Sequence, residues 1–272
     1  MSLVFIHIGQ CGNQLGQAFW KEMETLSQTP TGTRTQKNKK ISSYSHVGLP
    51  ADIAAAQLIT RHVPYSLPDG SLPCILVDSE PKVVQGCAQI LGDTKISKEF
   101  VLSDKTGRGN NWAYGYNGRN LKNPQDLYGP GNLAECVMDG VRRTAERCDR
   151  FTGTVLFHSL SGGTGSGLGS ALVERLRDEY PLAYLLSILV APFEQGETPL
   201  QHYNSLLCLS WVQRYCDAIL LLRNDSVLEQ IKRQASGQAM TRGGHQSLAE
   251  MNANISKCLG SVFLPLWSPN AA

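Results

Sequence analysis

The chain has 272 residues, 42% hydrophobic and 18% charged, with a formal net charge of +2. That length supports one large core or two modest domains, and the composition is that of a globular chain, not a disordered one. So even a charge balance gives no global footprint for nucleic acid as a partner, and no apolar run approaches the length needed for membrane insertion. The first apolar run, residues 3–8, is short, lacks a basic leader and enters Gly9-Gln10-Cys11-Gly12 directly, which argues against a secretory signal. The cysteines at 11, 74, 87, 136, 148, 208, 216 and 258 form no CxxC pair. They read as reduced thiols in a cytoplasmic protein, mostly buried as small apolar side chains.

In chain order, the strand-like run 3–8 leads into a helical pattern over 10–26, with Leu15, Phe19, Met23 and Leu26 on one face. Residues 29–73 are polar and proline-rich, with a basic cluster of Arg34, Lys37, Lys39 and Lys40. They read as a long surface loop with a short helix over 51–59, the cluster being its solvated face. A second strand is expected at 74–77, followed by a Gly- and Asn-rich stretch over 106–131. A helical pattern over 132–151 carries Val137, Val141 and Cys148, and a strand follows at 154–157. Beyond a glycine loop come a strand at 185–190, a helix over 199–216 carrying Leu206, Leu209 and Val212, and a strand at 218–222. A last helix over 245–262 aligns Leu248, Met251, Ile255, Leu259 and Val262, a stripe expected to be exposed. Nearly continuous apolar strands alternating with helices predict an α/β fold: a mostly parallel, Rossmann-like sheet with helices on both faces. Ligands of such sheets bind beyond the carboxyl ends of the strands, where the loops at 9–12, 78–80, 159–167, 191–198 and 224 would converge.

Residues 159–170 read Ser-Leu-Ser-Gly-Gly-Thr-Gly-Ser-Gly-Leu-Gly-Ser, between a strand and a helix. Such a loop lets backbone N–H groups approach a phosphate chain, and the helix start adds a positive dipole end. It is not a P-loop, because Leu168 stands where GxxxxGK[ST] requires lysine. Nor is it a dinucleotide fingerprint, since no GxGxxG starts within it. Gly9-Gln10-Cys11-Gly12 repeats the strand–turn–helix arrangement at the first strand. Asp78 and Glu80 supply carboxylates beside it, of which one suits Mg²⁺ through water. Arg108, in Gly107-Arg108-Gly109-Asn110-Asn111-Trp112, adds a positive charge that the glycine loop lacks. His158, just before the loop, reads as a buried supporting histidine.

In this order and spacing, Gly9-Gln10-Cys11-Gly12-Asn13-Gln14, Asp78-Ser79-Glu80-Pro81, Gly109-Asn110-Asn111-Trp112-Ala113 and Gly162–Gly167 resemble tubulin. The loop is similar to the family signature G-G-G-T-G-S-G, with Ser161 at its first glycine. That departure, with Trp112-Ala113-Tyr114-Gly115-Tyr116 and Leu259-Gly260-Ser261-Val262-Phe263, resembles the delta/zeta branch more than alpha or beta, zeta ahead of delta.

The resemblance implies a GTP-binding domain over 1–244, a core helix over 245–263 leading toward a second domain, and a tail at 264–272. It implies GTP or GDP with Mg²⁺ as ligands. Gln10 and Cys11 would contact the nucleotide; Gly162, Gly163, Thr164 and Gly165 would wrap the phosphates, with Ser159 alongside. Asn110 would be a phosphate-side donor, Glu80 the metal-side carboxylate, and Asn224 and Asn252 would read the guanine. Glu197 takes a ribose-loop place that is more often Asp, Gln201 a place often held by a carboxylate, and Leu248 a place usually held by an aromatic ring. The family's acidic loop, which completes a neighbour's GTPase site, would follow the end of this sequence, so no catalytic residue is expected here. The implied role is cytoskeletal: a component of microtubules or of the centriole, basal body or cilium, partnered by other tubulins or centriole components. GTPase activity would be weak or assembly-dependent. The alternatives are a truncated, non-polymerising isoform or fragment that acts as a binding module, and, more remotely, a dinucleotide-dependent oxidoreductase.

Overall fold

The computed structural model describes residues 2–27, 65–92, 95–104, 106–118, 132–196, 198–235 and 248–263. Six strands form one parallel sheet: β1 (Ser2–Ile8), β2 (Cys74–Asp78), β3 (Val101–Ser103), β4 (Phe151–Ser159), β5 (Tyr184–Ala191) and β6 (Ala218–Arg223). Their spatial order is β3-β2-β1-β4-β5-β6. The chain runs outward from β1 to β3, returns to pair β4 with β1, and runs outward again to β6. The direction of winding therefore reverses between β1 and β4, where His7 lies opposite Phe157. In open parallel sheets this reversal opens a crevice at the carboxyl ends of the strands.

Eight α-helices lie among the described residues: α1 (Gly9–Ser27), α2 (Pro81–Leu91), α3 (Trp112–Tyr116), α4 (Leu133–Glu146), α5 (Gly169–Glu179), α6 (Gln201–Tyr215), α7 (Asn224–Ala235) and α8 (Leu248–Phe263). The alternation of side chains along each strand divides the core in two. Val4, Ile6 and Ile8 of β1 face Val137 and Val141 of α4, Leu172 and Leu176 of α5, and Val212 of α6. Phe5 of the same strand, with Phe157 of β4, faces Leu15, Phe19 and Met23 of α1 and Ile255, Leu259 and Phe263 of α8. Apolar side chains cover both faces, so the sheet is buried on both sides and held rigid under the loops at its carboxyl edge.

Local chemistry sets the helix starts. Asn132 accepts from Ala134 N at 3.0 Å and opens α4; Asn111 does the same for α3 with Ala113 N at 2.9 Å. Pro81 opens α2, where its missing N–H costs nothing.

The α/β fold follows the expectation, with differences in detail. The helical pattern over 132–151 ends at Glu146, because Phe151 already pairs with Ser2 as the first residue of β4. The three-residue strand β3 carries no periodicity of its own and was not expected. In α6, Leu206 and Leu209 face solvent and only Val212 of the expected trio is buried. The inner stripe of that helix is Gln201, Asn204, Cys208 and Val212 instead. The stripe of the last helix is a second correction: Met251, Ile255 and Leu259 are buried, the last two with α1 and the sheet, and of the stripe only Leu248 and Val262 are exposed. The buried row advances by four residues at a time and so ends on Phe263, which packs against Phe19 at 5.5 Å. All eight cysteines are free thiols, but only Cys74, Cys87 and Cys208 are fully buried, while Cys136 and Cys258 are exposed. The basic cluster and the helix expected over 51–59 lie outside the described residues, as do 119–131 of the stretch 106–131 and the tail.

Candidate nucleotide-binding site

β4 ends at Ser159, and the chain makes one wide π-turn, Gly163–Leu168, before α5. The first internal bond of that turn is Ser166 N donating to Gly162 O at 3.0 Å. The N–H groups of Gly163, Thr164 and Gly165 precede it and open the helix without an intrahelical acceptor. This is the ordinary anion-binding arrangement of a helix start, built here on backbone packed against backbone. A Cβ on Gly115 of α3 would come 2.1 Å from Gly163 O, and one on Gly167 would come 2.2 Å from Trp112 O. From the other side, Gly9 takes φ +72° and brings its backbone against Gly165 N, 3.0 Å from where a Cβ would stand.

Side chains lock these loops together. Asn204, buried on α6, donates through Nδ2 to Asn110 O at 2.7 Å and Ser161 O at 2.8 Å, and accepts from Trp112 N at 3.0 Å. Trp112 in turn donates from its indole to Ser170 Oγ at 2.9 Å. Asn13 ties the end of β2 to the start of α1, donating to Val77 O and to Gly9 O, both at 2.9 Å. His158 lies beneath the turn with Nδ1 at 2.9 Å from Gly165 O and Nε2 at 2.7 Å from Ser187 Oγ. A carbonyl only accepts, so Nδ1 carries the proton. Burial lowers the His158 pKa to about 4, which keeps the ring neutral as a support and removes it as a base near neutral pH.

The carboxylates sit on the β2 side. Asp78 is buried; its Oδ1 accepts from Ser79 N at 2.7 Å, and desolvation raises its pKa. The Ser79 hydroxyl lies 2.6 Å from Thr164 Oγ1, joining the β2 loop to the glycine turn. Glu80 is exposed at the start of α2, and a Cβ on Gly107 would meet its Oε1 at 2.6 Å. Among the described residues no three His, Cys, Asp or Glu side chains cluster as a metal cage. Glu80, a single exposed carboxylate against Gly107, is the kind of donor that Mg²⁺ would take together with water and phosphate oxygens.

The structure brings Gln10, Cys11, Asn110, Ser159, Gly162, Gly163, Thr164 and Gly165 to this carboxyl edge, with Glu80 beside them. Gln10 is exposed at the start of α1, and burial pushes the Cys11 thiol up to about 12, so it stays protonated near neutral pH. Ser159 lies under the turn and accepts from Gly162 N at 3.3 Å. Asn110 has φ +51° and offers its backbone to Asn204. Asn224 opens α7 beyond β6 and Asn252 lies on α8, both half-buried, and no hydrogen bond joins either to the phosphate loops among the described residues. Glu197 lies outside the described residues. Gln201, in the place of a carboxylate, is buried and donates to Phe193 O at 2.8 Å, bracing the loop after β5.

Sequence reasoning missed Asn204 and Ser79 as parts of the site. Asn204 lies within a helix whose pattern reads as apolar, so only a polar residue out of phase with the leucines marked it. Ser79 sat between two acids that drew the attention.

These loops, at the reversal of a six-stranded parallel sheet, are where the comparison with known families falls. Residues 2–232 match the GTPase domain of the Tubulin/FtsZ family. The chain belongs to that family. It is 30% identical over 278 positions to the human tubulin delta chain, covering 100% of this chain and 55% of that one. To the mouse tubulin delta chain it is 29% identical, with 100% and 54% covered. A rice tubulin beta-8 chain is 31% identical over 235 positions, with 84% and 46% covered. The chain thus spans about half the length of the curated relatives it matches. The delta relatives agree with the delta/zeta branch to which Ser161 and Trp112–Tyr116 pointed, and of its two members delta is the one they represent. No helix among the described residues is long and apolar enough to cross a membrane.

Proposed function

We propose that this tubulin-family domain binds GTP and GDP with Mg²⁺ along the carboxyl edge of its sheet. The observation that carries the reading is the 2.6 Å contact between Ser79 Oγ and Thr164 Oγ1, which joins the acidic loop to the glycine turn. In this reading the base lies toward β6, read by Asn224 and Asn252, with the ribose near the loop after β5 and Glu197. The phosphates cross the reversal between β1 and β4. There they meet the N–H groups of Gly163, Thr164 and Gly165, the turn at Gly9–Cys11 and the Ser159 side. The terminal phosphate reaches the loops after β2 and β3, beside Glu80 and Asn110. When bound, Mg²⁺ supplies charge neutralisation to phosphate oxygens. The chain itself supplies fixed N–H dipoles in a rigid frame, which need no reorganisation as charge develops. His158 stays neutral beneath the turn and takes no proton, so hydrolysis is weak or awaits a group supplied on assembly. We assign the chain a cytoskeletal role in the cytoplasm, at microtubules or at the centriole and basal body, with other tubulins or centriole components as partners.

Calorimetric titration with GTP, GDP, ATP and NAD, with and without Mg²⁺, tests the ligand. Guanine selectivity is the expected result, and a preference for NAD overturns the reading. Thr164→Val removes one hydroxyl and is expected to weaken GTP binding about tenfold, the worth of one hydrogen bond. An unchanged Kd would remove Thr164 from the site.

A further inference from the structure

The loop between β3 and α3 holds a cation that the phosphate reading leaves unused. Arg108 is only 6% exposed. Its Nη2 donates to Asp104 Oδ2 at 2.8 Å, while Nη1 is sheltered from solvent and has no hydrogen-bond partner among the described residues. A guanidinium N–H removed from water without an acceptor is disfavoured, and arginine is shaped to fill that want with the oxygens of a carboxylate or phosphate. Its place in the fold points to the second. A Cβ on Gly163 of the glycine turn would meet Arg108 O at 2.9 Å and Arg108 Cβ at 3.0 Å. The preceding residue, Gly107, abuts Glu80. Arg108 thus lies between the glycine turn and the metal-side carboxylate. Among the described residues of the loops at 9–12, 78–80, 106–111, 159–168 and 191–196, it is the only cation; the other charges are Asp78, Glu80 and Glu194.

We infer that Arg108 is a second cation of the phosphate site, sharing the terminal phosphate charge with the divalent metal, so that triphosphate binding here survives loss of Mg²⁺ in part. This rests on the GTP reading above. Asp104 is then the residue that positions the arginine: it holds one nitrogen of the fork and leaves the other for a ligand oxygen.

The test compares GTP affinity in excess MgCl₂ with that in excess EDTA for the unaltered chain, Arg108→Gln, Arg108→Lys and Asp104→Asn, with urea unfolding of each. The unaltered chain is expected to weaken by less than about tenfold on chelation, and Arg108→Gln by about a hundredfold, the difference being one charge-assisted contact. Arg108→Lys keeps the charge without the fork and falls between. Asp104→Asn keeps the arginine but weakens the contact that positions it, so its ratio falls between those of the unaltered chain and Arg108→Gln. The same chelation ratio in Arg108→Gln as in the unaltered chain overturns the assignment. So does an Asp104→Asn variant that copies Arg108→Gln in both affinity and stability, since the arginine then only braces its loop. If Arg108→Gln fails to fold, Arg108→Lys decides by the same ratio. A chain without guanine-nucleotide affinity in either condition overturns the GTP reading itself; affinity with equal ratios throughout overturns the arginine alone.

Discussion

The carboxyl edge of the sheet and the outer flank of α6 follow opposite rules. At the edge, backbone meets backbone: Gly115, Gly163 and Gly167 interlock at distances that leave no room for a methyl group. On the flank, large apolar side chains stand in solvent, with Tyr203 and Leu206 69% and 68% exposed. The two regions share one helix, whose first half is inverted. It buries Gln201 and Asn204 and exposes Tyr203 and Leu206. A helix normally turns its apolar face inward. Here the inward face serves to hold two loops, and apolar burial is secondary. The lesson is that the cost of a substitution depends on what it meets: backbone that cannot yield, or open solvent.

Three substitutions sharpen that contrast. The largest effect is expected for Gly167→Ala. Its methyl would stand 2.2 Å from Trp112 O and 2.7 Å from both Gly115 Cα and Tyr116 N. None of these is the end of a flexible side chain, so a loss of about 3 kcal/mol or more is expected in urea unfolding, beyond most overpacked sites. A loss below about 1 kcal/mol, the low end for overpacking, would mean that the edge is softer than its geometry states. Next comes Asn204→Ala, which strands Trp112 N–H and two carbonyls. About 2–3 kcal/mol is expected, with faster hydrogen exchange at the Trp112 amide as the specific readout. The smallest effect is expected on the flank, where Leu206→Ser should stay within about 0.5 kcal/mol and reduce self-association seen by light scattering. A large loss there would show that the flank is packed in solution.

Much of the fold was legible in the sequence because strands buried on both faces are continuous apolar runs: Ile6, Ile75, Leu156 and Ile188 all declare themselves. The glycine loop was legible for a similar reason, since close backbone approach leaves a compositional mark. The boundaries were less so. Phe151 joins β4 only because Ser2 lies opposite it, a contact between residues far apart in the chain. The misreading of Leu206 and Leu209 has the same cause. Periodicity reports that a helix has an apolar face, whereas which face turns inward was settled by hydrogen bonds from Asn204 to two remote loops. The approach of Glu80 to Gly107 depends on a loop packing that no local pattern encodes.

Asn204 has one more consequence. All three of its side-chain hydrogen bonds among the described residues go to main-chain atoms of Asn110, Trp112 and Ser161. A grip on the main chain is blind to the side chains it carries. The grip on Ser161 O would hold whatever side chain stands at 161, whereas Asn110, at φ +51°, stays restricted by its own backbone.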